Sequence, residues 1–363
     1  MEAKPSPRSR LRSLFRYCAP RIALSVIAFV LAFSAGETFA RYKCKAWPFE
    51  RKMRMPDFLT GKDATLRWRF SWGEDRNRLG LRNREIGPKE PNTFRILFLG
   101  DSLVWTGETT WGPLYTQMIE GCLNEKLGAT GRRIEVINAG VPGYTTYQEL
   151  EFLKIYGLDM APDVVILGFV LNDVYCKYLQ KPTDERILDW DPSLRLCRFD
   201  TRSFPGILFA RSYLSHEAAF ALELLCKRVK RGHPAYPFEK RDDFFLAWKE
   251  YGWAPTGSLI AEMKGILRGR NIRMLAVVFP ASDQMDDAYR DRDIRYVLYP
   301  QGRIAEIFND NRIPFLDLTQ AVYENGGLDL FQDCLHLSPK GNDVVTVEIV
   351  RFLMENQSIW FTR

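Results

Sequence analysis

Histidine is scarce in this chain, with only three in 363 residues. Any imidazole chemistry must therefore use His216, His233 or His336. The seven cysteines include no Cys-x-x-Cys pair, so the ligand spacing of a zinc ribbon or finger is missing and no metal is expected. There is no internal repeat and no low-complexity tract, which excludes a solenoid or a largely disordered chain. Excess positive charge is also missing once the first sixty residues are passed. Residues 1–60 hold 12 Lys+Arg against 4 Asp+Glu, a net of +8, whereas the remainder holds 39 against 41, a net of −2. The body is near neutral, so the sequence pI of 8.9 gives no basis for nucleic-acid binding.

The basic excess sits beside a long apolar run. Lys4, Arg8, Arg10, Arg12, Arg16 and Arg21 precede Ile22–Ala40, which only Glu37 interrupts. As a helix, this stretch nearly crosses a hydrocarbon core of about 30 Å. Glu37 falls near its far end, where a carboxylate costs less than at the midplane. The run reads as a retained transmembrane anchor. The competing reading is a cleaved signal peptide with Ile22–Phe33 as its apolar core. Charge flanks do not set orientation, because six Lys/Arg precede the run and six follow it by Arg54. A short tail inside and a large periplasmic or extracytoplasmic domain is the usual arrangement. Six cysteines follow the anchor, which permits disulfides outside the cytoplasm, and Cys176–Cys197 would close a loop of plausible length.

Prolines and glycines (Pro48, Pro56, Gly73, Gly80, Pro88, Pro91) punctuate residues 41–92, a connecting region expected to carry short strands. From Phe94 a β/α alternation begins. Strands are expected at Arg95–Leu99, Arg133–Asn138, Val164–Leu167, Met274–Phe279 and Pro314–Leu316. Helices are expected at Trp111–Leu127, Thr146–Tyr156, Ser258–Arg268, Arg303–Phe308 and from about Gly341 to Met354. Such alternation implies a parallel sheet with helices on both faces, where ligands bind beyond the strand C-termini. Residues 175–255 break the pattern with an aromatic-rich stretch. It reads either as a substrate-recognition subdomain over the site or as a structural helical insertion.

Four short motifs carry the chemistry. Gly100-Asp101-Ser102-Leu103 directly follows the first strand and offers Ser102 as a nucleophile. Val104 stands where a Gly-x-Ser-x-Gly elbow would need its last glycine, which argues against that arrangement. Asn138–Gly143 ends in a glycine turn whose Gly143 N–H can face an oxyanion. Asn172 follows the third strand and can add a side-chain N–H, while Asp173 reads as a structural hydrogen-bonder. Asp333 precedes His336 by three residues, a spacing that lets the carboxylate meet Nδ1 and leave Nε2 for a serine proton. His216 and His233 have no such neighbour and read as incidental. Cys334 reads as packing. Singly, each motif is a common loop feature; their order and their strand-end placement carry the signal.

With these motifs the chain resembles the SGNH/GDSL hydrolase superfamily across roughly residues 93–356. The resemblance implies a three-layer α/β/α sandwich with a parallel, flavodoxin-like sheet. It implies Ser102, Asp333 and His336 as catalytic triad, and Ser102 N–H, Gly143 N–H and Asn172 as oxyanion hole. It implies no metal or organic cofactor. Val170-Leu171 stand before Asn172 where many members carry glycine. Anchor, linker with Gly80-Leu81-Arg82 and catalytic domain together are similar to membrane-anchored bacterial members, some of which act on acylated cell-surface polysaccharides. The expected layout is a basic tail at 1–21, a transmembrane anchor at 22–40, a linker at 41–92 and a hydrolase domain at 93–356 with its insertion at 175–255. The expected activity is a serine esterase acting on an acyl, foremost acetyl, ester, acylated glycans included, with the membrane as partner through 22–40. O-acetyl transfer to a polysaccharide and a non-catalytic envelope scaffold are the alternatives. The sequence leaves the oligomeric state open.

Overall fold

The computed structural model describes residues 7–46, 66, 76–106, 114–174, 187–189, 198–200, 212, 214, 236, 238 and 244–361. Cys176 and Cys197, His216 and His233, and most of the 175–255 insertion lie outside them. Chain contacts divide the protein into two units, Met1–Pro56 with Phe199–Leu222, and Asp57–Arg198 with Glu223–Arg363. The insertion is therefore shared between them.

The first unit is built on helix α1, Pro7–Ala46, 40 residues with Pro20 inside. Its stretch Ala19–Tyr42 has a mean hydropathy of 1.9 and is long and apolar enough to cross a membrane. The helix outruns the anchor expected at 22–40 in both directions.

The second unit is a five-stranded parallel sheet with helices on both faces. Its early elements are β1 (Thr93–Gly100), α2 (Ser102–Trp105), α3 (Tyr115–Leu127), β2 (Arg133–Gly140), α4 (Thr146–Phe152) and β3 (Val164–Phe169). Two three-residue strands, β4 (Ile187–Asp189) and β5 (Arg198–Asp200), fall within the insertion. The later elements are α5 (Glu250–Arg268), β6 (Arg273–Val278), α6 (Asp287–Val297), α7 (Tyr299–Asp310), β7 (Phe315–Asp317), α8 (Thr319–Glu324) and α9 (Pro339–Glu355). All six residues of β3 are buried, as expected of a strand covered on both faces, so its sequence shows no alternation. Helices α3 and α9 pack together on one side; α4 and α5 pack together on the other.

The strand order is β2-β1-β3-β6-β7. After β2 the chain returns past β1 to lay down β3 on its other side. Loops leaving β1 and β3 therefore diverge, and a crevice opens between them at the C-terminal edge. Gly100, Gly140 and Gly168 end or nearly end three adjacent strands there. A Cβ on Gly140 would stand 2.3 Å from the Trp105 backbone N, and one on Gly100 would stand 2.2 Å from Val104 Cγ2. A Cβ on Gly168 would meet the same methyl at 2.6 Å. The sheet edge is thus a flat seat that receives the Val104 side chain and the Trp105 backbone of the short helix α2.

Two expectations change. The described part of the connecting region, 76–92, has turns rather than extended strands, held by Asn77, whose side chain accepts from Leu79 and Leu81 N–H. Helix α5 starts at Glu250 rather than Ser258: Gly252, Pro255 and Gly257 argue against a helix locally, but Gly252, Trp253 and Thr256 are buried in its first turns, and packing outweighs local preference.

Candidate active site

Ser102 opens α2 directly after β1. Asp101 caps this helix, its Oδ1 accepting from Leu103 N–H at 2.8 Å. The glycine seat presses α2 onto the strand ends and holds Ser102 at the crevice. His336 comes from the opposite end of the sequence. Phe331 and Leu337 bridge to close a short loop, and Gln332 N–H donates to His336 O. Asp333 Oδ1 accepts from Leu335 and His336 N–H at 2.8 and 2.7 Å, which folds the loop around the carboxylate. Ser338 then caps α9, its Oγ accepting from Gly341 N–H.

The loop delivers a continuous relay. His336 Nε2 lies 2.8 Å from Ser102 Oγ, and Nδ1 lies 2.7 Å from Asp333 Oδ2. With Nδ1–H donated to Asp333, Nε2 is left to accept the serine proton. Burial works against the Asp333 charge. The backbone N–H groups of His336 and Leu335 and the imidazole outweigh it, so the carboxyl lies below its usual value.

Gly143 has φ +78°, the left-handed region where a side chain is strained. Its N–H makes no hydrogen bond among the described residues. Asn172 follows β3 in a short 3₁₀ turn and donates one Nδ2–H to Asp101 Oδ2 at 2.7 Å. An amide has two such hydrogens, so a second donor remains. The structure therefore brings Ser102, Asp333 and His336 into mutual contact, and sets Gly143 and Asn172 on the loops after β2 and β3. Among the described residues, no three His, Cys, Asp or Glu side chains are grouped to hold a metal.

A family profile describing GDSL-like lipases and acylhydrolases matches residues 98–344. The chain belongs to this family. It is an ester-bond hydrolase. Solved structures of similar fold include a lipase/acylhydrolase from Enterococcus faecalis, 18% identical over 72% of this chain and 96% of that one, with a TM-score of 0.39. An acetyl xylan esterase is 17% identical over 70% and 98%, TM-score 0.41. An acetylxylan esterase from Geobacillus stearothermophilus is 14% identical over 72% and 94%, TM-score 0.43. Among curated proteins no sequence matches.

This GDSL hydrolase also holds a group of acids under its crevice that the motifs do not announce as such. Asp101 is fully buried, and burial raises its pKa against the pull of Asn172, Leu103 N–H and the imidazole. Glu149 on α4 is buried with neither carboxyl oxygen hydrogen-bonded. Burial, then the charge of Asp101, pushes it well up. Asp173 Oδ2 accepts from Val170 N–H at 2.7 Å, the structural bond expected of it, while Oδ1 has no partner. Burial, then Glu149 and Asp101, pushes its pKa well up too. The hub role of Asp101 was missed, although Asp101 lies inside the Gly-Asp-Ser-Leu motif. Nothing in the sequence marks Glu149, because every residue of α4 is buried and no polar face betrays its orientation. Cys334 is a half-buried free thiol whose carbonyl accepts from Ser282 N–H.

Proposed function

We propose that the protein is a serine esterase working through an acyl-enzyme, with Ser102 as nucleophile, His336 as general base and Asp333 as its orienting partner. The observation that carries this reading is the 2.8 Å approach of His336 Nε2 to Ser102 Oγ across 234 residues of sequence. His336 removes the hydroxyl proton as Oγ attacks the ester carbonyl carbon. The carbonyl oxygen takes up the electron pair beside the N–H groups of Ser102 and Gly143 and the Asn172 amide. Collapse expels the alcohol, which receives the proton from His336. Water activated by the same imidazole then releases the acid. Asp333 steadies the imidazolium in both steps.

The substrate is proposed to be an acyl ester, with acetyl esters and acetylated glycans first in any panel. Residues 22–40 are proposed to stay in place as a membrane anchor, with the catalytic unit outside the cytoplasm. Labelling by a fluorophosphonate probe tests the central claim. The wild type is expected to label, and Ser102→Ala and His336→Ala to lose labelling. A folded wild type that stays unlabelled would overturn the proposal in favour of a scaffold. Adding an oligosaccharide acceptor then separates the two catalytic fates. Free acetate marks hydrolysis, and an acetyl mass shift on the oligosaccharide marks transfer.

A further inference from the structure

At the far end of α1, Glu37 is half-buried. Its Oε2 accepts from Ser212 Oγ at 2.9 Å and from Leu214 N–H at 3.0 Å, and its Oε1 accepts from Arg41 Nε at 2.7 Å. The covered residues at this end of the helix are Phe33, Gly36, Glu37 and Ala40, a spacing that defines one helical face. Other positions, including Phe29, Leu31, Phe39 and Tyr42, stand exposed. Gly36 is where Leu214 seats, since a Cβ there would lie 2.8 Å from Leu214 Cδ2. Small residues at Gly36 and Ala40 let a second segment approach the helix backbone, as at packed helices in bilayers.

Depth follows from helical rise. The apolar stretch Ala19–Tyr42 has 24 residues and is about 36 Å long. Centred on a core of about 30 Å, it sets Glu37, five residues before Tyr42, roughly 4–5 Å inside the hydrocarbon edge. A carboxylate at that depth needs donors from protein. Ser212 and Leu214 supply two. They belong to Phe199–Leu222, which shares a unit with the helix. Residues 204–222 carry only two charges, Arg211 and Glu217, among Ile207, Leu208, Phe209, Tyr213, Leu214, Phe220 and Leu222. Lys227, Arg228, Lys230 and Arg231 follow, suited to lipid phosphates.

We propose that Ser212 and Leu214 enter the bilayer interface beside the anchor, so that the enzyme grips the lipid surface at two places in its sequence. This rests on residues 22–40 being a retained anchor. The full-length protein, its native cysteines replaced by serine and its probe reactivity checked, is placed in vesicles of phosphatidylcholine and phosphatidylglycerol. Single cysteines at Ile27→Cys, Leu214→Cys and Gly302→Cys carry an environment-sensitive dye, and nitroxide lipids act as quencher. Dyes at 27 and 214 are expected to lose most of their emission, and the dye at 302 to keep it. Quenching at 27 without quenching at 214 overturns the proposal and leaves the anchor standing. No quenching at 27 removes the anchor and the proposal together. Gly36→Leu puts bulk where the side chain at 214 approaches α1 and is expected to push that position off the helix and relieve quenching at 214 alone. Unchanged quenching there would also overturn it.

Discussion

At the residue scale, the site depends on how charge is divided among four carboxyls. Asp333 is ionised in its loop, held low by the N–H groups that surround it after burial has worked the other way. Its contribution to stability is present above the ordinary carboxylate range and is lost as pH falls through the lowered value. The gap in thermal stability between wild type and Asp333→Asn is therefore expected to narrow on acidification from pH 7, as read by melting curves at several pH values. Glu149 is the opposite case. Its raised pKa means the native state keeps a proton that the unfolded state releases, so stability falls as pH climbs above the unfolded value. Glu149→Gln is expected to flatten that fall between pH 5 and 8. A slope equal to that of wild type would show Glu149 ionised in the native state. Asn172→Ala removes a proposed oxyanion donor and also leaves Asp101 short of a partner. Its turnover is expected to drop by about 10²–10³ while probe labelling slows rather than disappears.

At the element scale, the decisive contact is α2 on three glycine strand ends. Gly140→Ala forces a methyl against the Trp105 backbone and is expected to cost about 1–3 kcal/mol, seen as a lower melting temperature and weaker labelling. Gly121 lies inside α3 with open space where a Cβ would go. Gly121→Ala is expected to stabilise by about 0.5–1 kcal/mol and leave activity unchanged. The five sheet strands were legible because each central strand is a short apolar run ending in glycine or a loop motif. Helix α6 was not. Its sequence is mostly charged, its surface mostly exposed, and Asp293 interrupts it with non-helical φ/ψ of −163° and 83°. Helix α8 is only six residues long, too short to show a period. The motif residues of the site could be read because polar groups recur at strand ends. Glu149 beneath them could not, because burial is a property of packing and leaves no local mark on a carboxylate.

At the scale of the whole molecule, the two units differ in what they need from their surroundings. The sheet unit buries its own apolar core, from Ile96 and Leu167 to Ile349 and Leu353. The unit of α1 leaves Ile22, Leu24, Val26, Ile27, Phe29, Val30 and Leu31 more than half exposed. On the proposed anchoring, lipid covers that exposure. Full-length protein is accordingly expected to stay with membranes through alkaline carbonate washing, whereas a chain begun at residue 57 should be released to the supernatant. Release of the full-length protein to the supernatant would count against the anchor.

The 234-residue interval between Ser102 and His336 also sets a clock. At synthesis rates of about 5–20 residues per second, roughly ten to fifty seconds separate the emergence of the proposed nucleophile from that of its proposed base. Throughout that interval the nascent chain carries a serine that nothing activates. On the proposed mechanism, competence waits until His336 and the loop before α9 have been made. A chain stopped at Leu330 is expected to stay dark to the probe. If the proposed triad holds, the nascent chain is inert, and premature termination yields silent fragments instead of unregulated esterase.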